Sequence, residues 1–148
     1  MLLNRQSTLA LQTAQTVHII GCGGVGSWVA LALGKAGVSE LHLYDSDTVA
    51  ETNLHRTPFN LEHIGMSKPA ALCNLLPDSR IRCHGNWNHG AELLAGNWVL
   101  ACVDSHAVRV KLYDWARLYP ESRYLDCAAE GEQATLSDSP ALVAPQTR

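Results

Sequence analysis

Four glycines within six residues, Gly21, Gly23, Gly24 and Gly26, separate an apolar run (Val17, Ile19, Ile20) from an amphipathic segment, SWVALALGKAG. Strand, glycine turn and helix in that order constrain the chain more than any other feature. They form a cradle for a phosphate, three of the glycines each with a physical reason. Gly21 allows the tight turn, Gly23 lets a pyrophosphate approach the backbone, and Gly26 lets the helix pack close to the strand. An anion seated there meets free N–H groups at the positive end of the helix. A glycine turn used only for packing is the competing reading, and the correct context on both sides favours a nucleotide site.

The remaining pattern alternates in the same way. Val17 to Gly21 reads as the first strand, Ser27 to Ala36 as the first helix with Gly37 as its C-terminal cap, and ELHLYDSD as a second strand ending in acid. A right-handed crossover closes such a unit of about thirty residues into a parallel pair. Thr48 to Ser67 is loop-like. Ser67 caps a helix through Pro69 and Leu76, and Ile81 opens a short strand. Ala91 to Leu94 suggests a helical turn and NWVLACVD a buried strand. Ser105 to Tyr119 is helical, stopped by Pro120, and Arg123 to Ala128 and Ala134 to Leu136 complete the strands. The expectation is one α/β domain over residues 1–148, Rossmann-like and three-layered, with a mostly parallel sheet. Residues 1–14 are expected to form an N-terminal arm and 137–148 a poorly ordered tail.

A formal charge of −3 gives no basic surface for nucleic acid. No apolar run approaches the ~18–20 residues of a membrane span, and the start lacks a signal-peptide core, so the expected location is the cytoplasm. Five cysteines without a CxxC pair argue against a disulfide framework and against a structural zinc site. Cys83, His84 and His89 are a loop cluster rather than a metal centre, and Cys127 is not read as a nucleophile.

Ligands in parallel sheets bind beyond the carboxyl ends of the strands, where the glycine turn, Asp45 and Asp104 converge. A carboxylate at Asp45 can accept both ribose hydroxyls of an adenosine, while Asp47 shapes the turn or assists a metal. NAD would use the same cradle and acid. Asn53, Arg56 and Lys68 favour a triphosphate instead, since two cations suit the concentrated charge of β- and γ-phosphates.

GCGGVGSW, YDSD, NLHR, a lysine about twelve residues later and CVDS together resemble the adenylation domain of the ThiF, MoeB, HesA and ubiquitin-activating-enzyme family. The resemblance runs from about residue 4 to residue 136. It implies ATP-dependent adenylation of a carboxylate, commonly the C-terminus of a ubiquitin-like or sulfur-carrier protein, by a homodimer using Mg²⁺. It implies catalytic roles for Arg5, Arg56, Lys68 and Asp104. Gly21, Gly23, Gly24, Gly26, Asp45, Asp47, Asn53, Arg56, Lys68 and Ser105 would hold the nucleotide, and Asp104 the Mg²⁺. Arg5, in the triplet Asn4-Arg5-Gln6, is similar to the arginine that reaches in from the other subunit. Thr57 stands where the family has glutamine, the paired CxxC zinc motifs are missing, and the pattern stops soon after the sixth strand. The family resemblance is therefore to a short or truncated member lacking the C-terminal part of the fold. GGVGSW is also similar to the branch that dehydrates a carbamoylated adenosine in tRNA, which keeps tRNA as a minor alternative partner. A non-catalytic nucleotide- or partner-binding module and an NAD-linked oxidoreductase are the competing functions.

Overall fold

Short apolar runs, each returned by a crossover, build the sheet. The computed structural model of the chain describes residues 14–87, 97–130 and 133–139. β1 (Thr16–Ile20), β2 (Glu40–Tyr44), β3 (Ile81–His84), β4 (Trp98–Ala101) and β5 (Arg123–Glu130) are parallel, and β6 (Gln133–Ser137) lies antiparallel beside β5. Their order is β3-β2-β1-β4-β5-β6. The winding thus reverses between β1 and β4, and the crevice beyond their carboxyl ends is the topological switch point where open α/β sheets take ligands.

Period-two alternation sends the two faces of each strand to different helices. Val17, Ile19, Leu41 and Leu43 bury against α1 (Gly26–Lys35) and α2 (Lys68–Leu75), with Ala30, Ala71 and Leu72 fully enclosed. Ile20, Tyr44, Val99, Ala101 and Tyr124 face α3 (His106–Leu118) through Leu112 and Ala116. Strands covered on both faces read as near-continuous apolar runs, which is why the sequence marks them clearly.

The helix boundaries follow local chemistry. α1 ends in a Schellman arrangement, with Gly37 N donating to Gly34 O at 3.1 Å and Val38 N to Leu33 O at 3.1 Å. Ser67 Oγ accepts from Ala70 N at 3.3 Å to start α2, and Ser105 Oγ accepts from Val108 N at 3.4 Å to start α3.

Two departures from the sequence expectation are informative. The stretch 48–67 is not an irregular loop: it folds into 3-10 helices over Glu51–Arg56 and Leu61–His63, closed by a bridge between Thr48 and Ser67. Its polar residues cap their own turns, Asn53 Oδ1 accepting from Ala50 N at 3.0 Å and Asn60 Oδ1 from Glu62 N at 3.2 Å. Such side-chain capping needs no apolar period, and Val49, Phe59 and His63 bury underneath. At the start of the stretch expected as a tail, Ser137 belongs to β6 and its Oγ accepts from Ser139 N at 3.2 Å. The N-terminal arm through residue 13, the helical turn at 91–94 and the tail from 140 lie outside the described residues. Among the described residues no helix is long and apolar enough to cross a membrane.

Candidate functional site

The glycine turn is clamped between its two neighbouring strands. Gly21 N donates to Tyr44 O at 2.8 Å, and Cys102 N donates to Ile20 O at 2.8 Å. Gly21 has φ +96°, and a Cβ there would lie 2.7 Å from the carbonyl oxygen of Cys102. A Cβ on Gly26 would collide with the carbonyl oxygen of Gly21. Both positions are closed to any side chain. Gly23 is different: a Cβ there would meet nothing within 4 Å. That open space is what a phosphate approaching the backbone requires. α1 begins at Gly26 with no side-chain cap and no acidic residue in its first turn; Ser27 N donates to Gly23 O at 3.1 Å, and an anion at this end meets no side-chain competitor among the described residues.

Asp45 stands at the tip of β2 and ties the site together. Its Oδ2 accepts from Cys22 N at 2.8 Å, inside the glycine turn, and its Oδ1 accepts from Asp47 N at 2.8 Å. Each carboxylate oxygen retains a second lone pair, so ribose hydroxyls can still bond there while the side chain braces the turn. Asp47 is exposed and its Oδ2 lies 3.6 Å from Lys68 Nζ; Lys68 N donates to Asp47 O at 3.0 Å. Lys68 itself is buried, so its ammonium is held at the first turn of α2 rather than waving in solvent. Arg56 is reached from the other side. Trp28 Nε1 donates to its carbonyl at 2.9 Å, and its Cδ lies 3.7 Å from the Cβ position of Gly24. The guanidinium stem therefore rests on the glycine turn.

Asn53 is partly committed, because its Oδ1 caps the 3-10 helix, while its amide nitrogen can donate to a ligand. Thr57 is buried and its Oγ1 donates to Asn53 O at 2.8 Å, closing the same helix. Asp104 is exposed just beyond β4, and Ser105 beside it spends its hydroxyl on capping α3. Gly21, Gly23, Gly24, Gly26, Asp45, Asp47, Arg56 and Lys68 thus form one connected group, with Asp104 across the switch point. Arg5 lies outside the described residues.

Sequence reasoning missed the support beneath Asp104. Arg109 Nε donates to Val103 O at 2.7 Å and its Nη1 donates to Asp126 Oδ1 at 2.7 Å, while Tyr124 Oη donates to Asp126 Oδ2 at 3.1 Å. Burial, then the Asp126 charge, pushes the Tyr124 hydroxyl well above its usual range, so it stays a donor. Arg109 falls four residues after Ser105 on a helix, a spacing that places it over the end of β4. Only a buried charge on an otherwise apolar helix face could have signalled it.

Burial, and then the Asp45 charge, pushes the Cys22 thiol up; a hydrogen bond with Cys127 and burial do the same for Cys102. His84 stacks on Tyr44 at 4.4 Å between ring centroids and lies 3.0 Å from His42 Nδ1. His89 lies outside the described residues. Among the described residues no three His, Cys, Asp or Glu side chains are grouped as metal ligands. The single exposed carboxylate of Asp104 suits Mg²⁺, which keeps several waters and takes its other ligands from phosphates.

The ThiF family model matches residues 3–122. The adenylyltransferase and sulfurtransferase MOCS3 of Drosophila willistoni is 37% identical over 118 residues, covering 74% of this chain and 26% of that protein. Ubiquitin-like modifier-activating enzyme 5 of Drosophila persimilis is 32% identical over 118 residues, covering 66% of this chain and 31% of its own length. The chain therefore spans about a quarter to a third of these curated relatives. Among solved structures, E. coli tRNA N6-threonylcarbamoyladenosine dehydratase, TcdA, superposes with a TM-score of 0.72 at 22% identity, covering 86% of this chain and 57% of that one. E. coli MccB with ATP gives 0.66 at 21% identity, covering 84% and 40%. At such identities these two likenesses concern the fold.

Proposed function

The chain belongs to the ThiF family, and from that premise we propose that it binds ATP with Mg²⁺ and adenylates a carboxylate, the C-terminus of a ubiquitin-like or sulfur-carrier protein. One observation carries this reading. An α1 N-terminus without a side-chain cap, an open Gly23, the stem of Arg56 against Gly24, Asp45 bonded to Cys22 N and a buried Lys68 bonded to Asp47 gather at the carboxyl ends of β1 and β2, with Asp104 following β4. The glycine turn and the N–H groups of α1 bind the phosphates, and Asp45 orients the ribose. Lys68 and Arg56 neutralise the charge that grows on the leaving pyrophosphate as the carboxylate attacks the α-phosphorus. Asp104 holds Mg²⁺, which when bound shields the phosphate oxygens from the incoming anion. Catalysis on this reading is positioning and charge neutralisation, without a protein nucleophile. Arg5 is assigned to complete the site from the second subunit of a homodimer.

Two cations beside the cradle favour ATP over NAD, whose pyrophosphate the helix terminus alone can serve. The test is ATP–pyrophosphate exchange with candidate carrier proteins, run beside calorimetry with ATP and NADH. Exchange that depends on a carrier C-terminus and on Mg²⁺ is the expected result. ATP binding without exchange for any carrier would instead support the second reading, a nucleotide-binding module. Binding of NADH but not ATP would sink both. A tRNA substrate would appear as RNA-dependent ATP turnover.

A further inference from the structure

Two cysteines on the side of the sheet away from α3 stand closer than chance packing requires. Cys73 lies in α2 and Cys83 in β3, ten residues apart in sequence, with their sulfurs 3.2 Å apart. β3 is the outer strand of the sheet, so this edge faces solvent, and Cys83 is exposed while Cys73 is half-buried. A disulfide needs sulfurs about 2.05 Å apart. The remaining gap is roughly an ångström, a distance that side-chain rotation about the two Cα–Cβ bonds acts on directly. The other three thiols, Cys22, Cys102 and Cys127, are buried.

We propose that Cys73 and Cys83 form a reversible oxidation site that takes a peroxide and closes to a disulfide stapling α2 to β3. Access orders the steps. The Cys83 thiolate attacks one oxygen of hydrogen peroxide, the O–O bond breaks, and the departing hydroxide is protonated to water, leaving Cys83 as a sulfenic acid. Cys73 then gives up its proton and attacks the Cys83 sulfur. The S–O bond breaks, hydroxide leaves with that proton as a second water, and the S–S bond forms. Two thiols lose two electrons, and one peroxide gains them. Burial and the neighbouring Cys83 push the Cys73 thiol up to about 12, so the exposed Cys83 is the first of the two to meet peroxide. The linked helix is the one that begins with Lys68, so oxidation fixes the crevice side of the fold to the sheet edge.

The test uses the native chain treated with stoichiometric hydrogen peroxide, then denatured in an alkylating agent and mapped by peptide mass. Expected are a loss of about 2 Da, protection of two thiols, and one cross-linked peptide pair carrying Cys73 and Cys83, all reversed by dithiothreitol. In Cys73→Ser, dimedone should label Cys83 and the cross-link should vanish. Full alkylation of both residues after peroxide would overturn the proposal. So would a cross-link from either one to Cys22, Cys102, Cys127 or another molecule. The wild-type arm decides even where the variant fails to fold.

Discussion

At the residue scale, the glycines of one turn carry opposite constraints. Gly26 has no room for a Cβ, whereas Gly23 has nothing near it. Gly26→Ala should cost about 3 kcal/mol or more in chemical denaturation, since overpacking against backbone cannot relax. Gly23→Ala should leave stability within about 0.5 kcal/mol, as for an open surface site. Its methyl group occupies the approach path of a phosphate, so ATP affinity by calorimetry should fall about tenfold, or 1.4 kcal/mol. Unchanged ATP binding in that variant would remove the turn from the nucleotide site. The positions of the turn, Asp45, Lys68 and Asp104 at the ends of elements were legible in the sequence, because local rules delimit those elements. Asn53 was legible only in position. Its side chain serves its own helix, a contact three residues long that composition cannot distinguish from a ligand's.

At the level of elements, the strands and helices announced themselves through apolar runs, caps and Pro120, while the 3-10 segment between β2 and α2 did not. It buries Val49, Phe59 and His63 at intervals that match neither period. The tie between β4, α3 and β5 was equally silent, since Arg109 and Asp126 lie 17 residues apart. Asp126 is almost wholly buried, so its charge depends on Arg109 and Tyr124. Arg109→Met should therefore destabilise the fold by about 3–5 kcal/mol, measured as a lowered denaturant midpoint. Adding Asp126→Leu should recover much of that loss, because the orphaned charge is removed with its partner. A double variant no better than the single one would mean that Arg109 acts through its bond to Val103 O instead.

Across the whole molecule, a buried histidine contributes to how the fold answers to acid. His18 in β1 is fully enclosed; its Nε2 accepts from Asn97 Nδ2 at 3.1 Å, and its Nδ1 donates to Tyr44 Oη at 3.0 Å. Burial, then the neighbouring His42 and His84, lowers its pKa to about 3. The unfolded chain, with an ordinary value near 6.5, takes up this proton first as the pH falls. Stability from His18 is therefore complete above about pH 6.5 and drains away toward pH 3, by up to about 1.4 kcal/mol per pH unit. His18→Phe should be less stable at neutral pH but show a shallower decline between pH 6.5 and 3. An equal slope in both proteins would assign the acid sensitivity elsewhere. Nothing in the sequence pointed to this group, whose partners stand 26 and 79 residues away. The parallel topology that made the fold readable is also what brings such distant residues side by side.

Asp45 touches the backbone of the glycine turn, and on the proposed reading the remaining lone pairs of its carboxylate serve the ribose. The two ends of a nucleotide would then share one carboxylate, and their binding energies would be thermodynamically coupled rather than additive. A fragment filling the sugar position should tighten the grip on a separate phosphate, and by reciprocity the phosphate should tighten the grip on the sugar. Dissecting this ligand into pieces would understate the affinity of the whole.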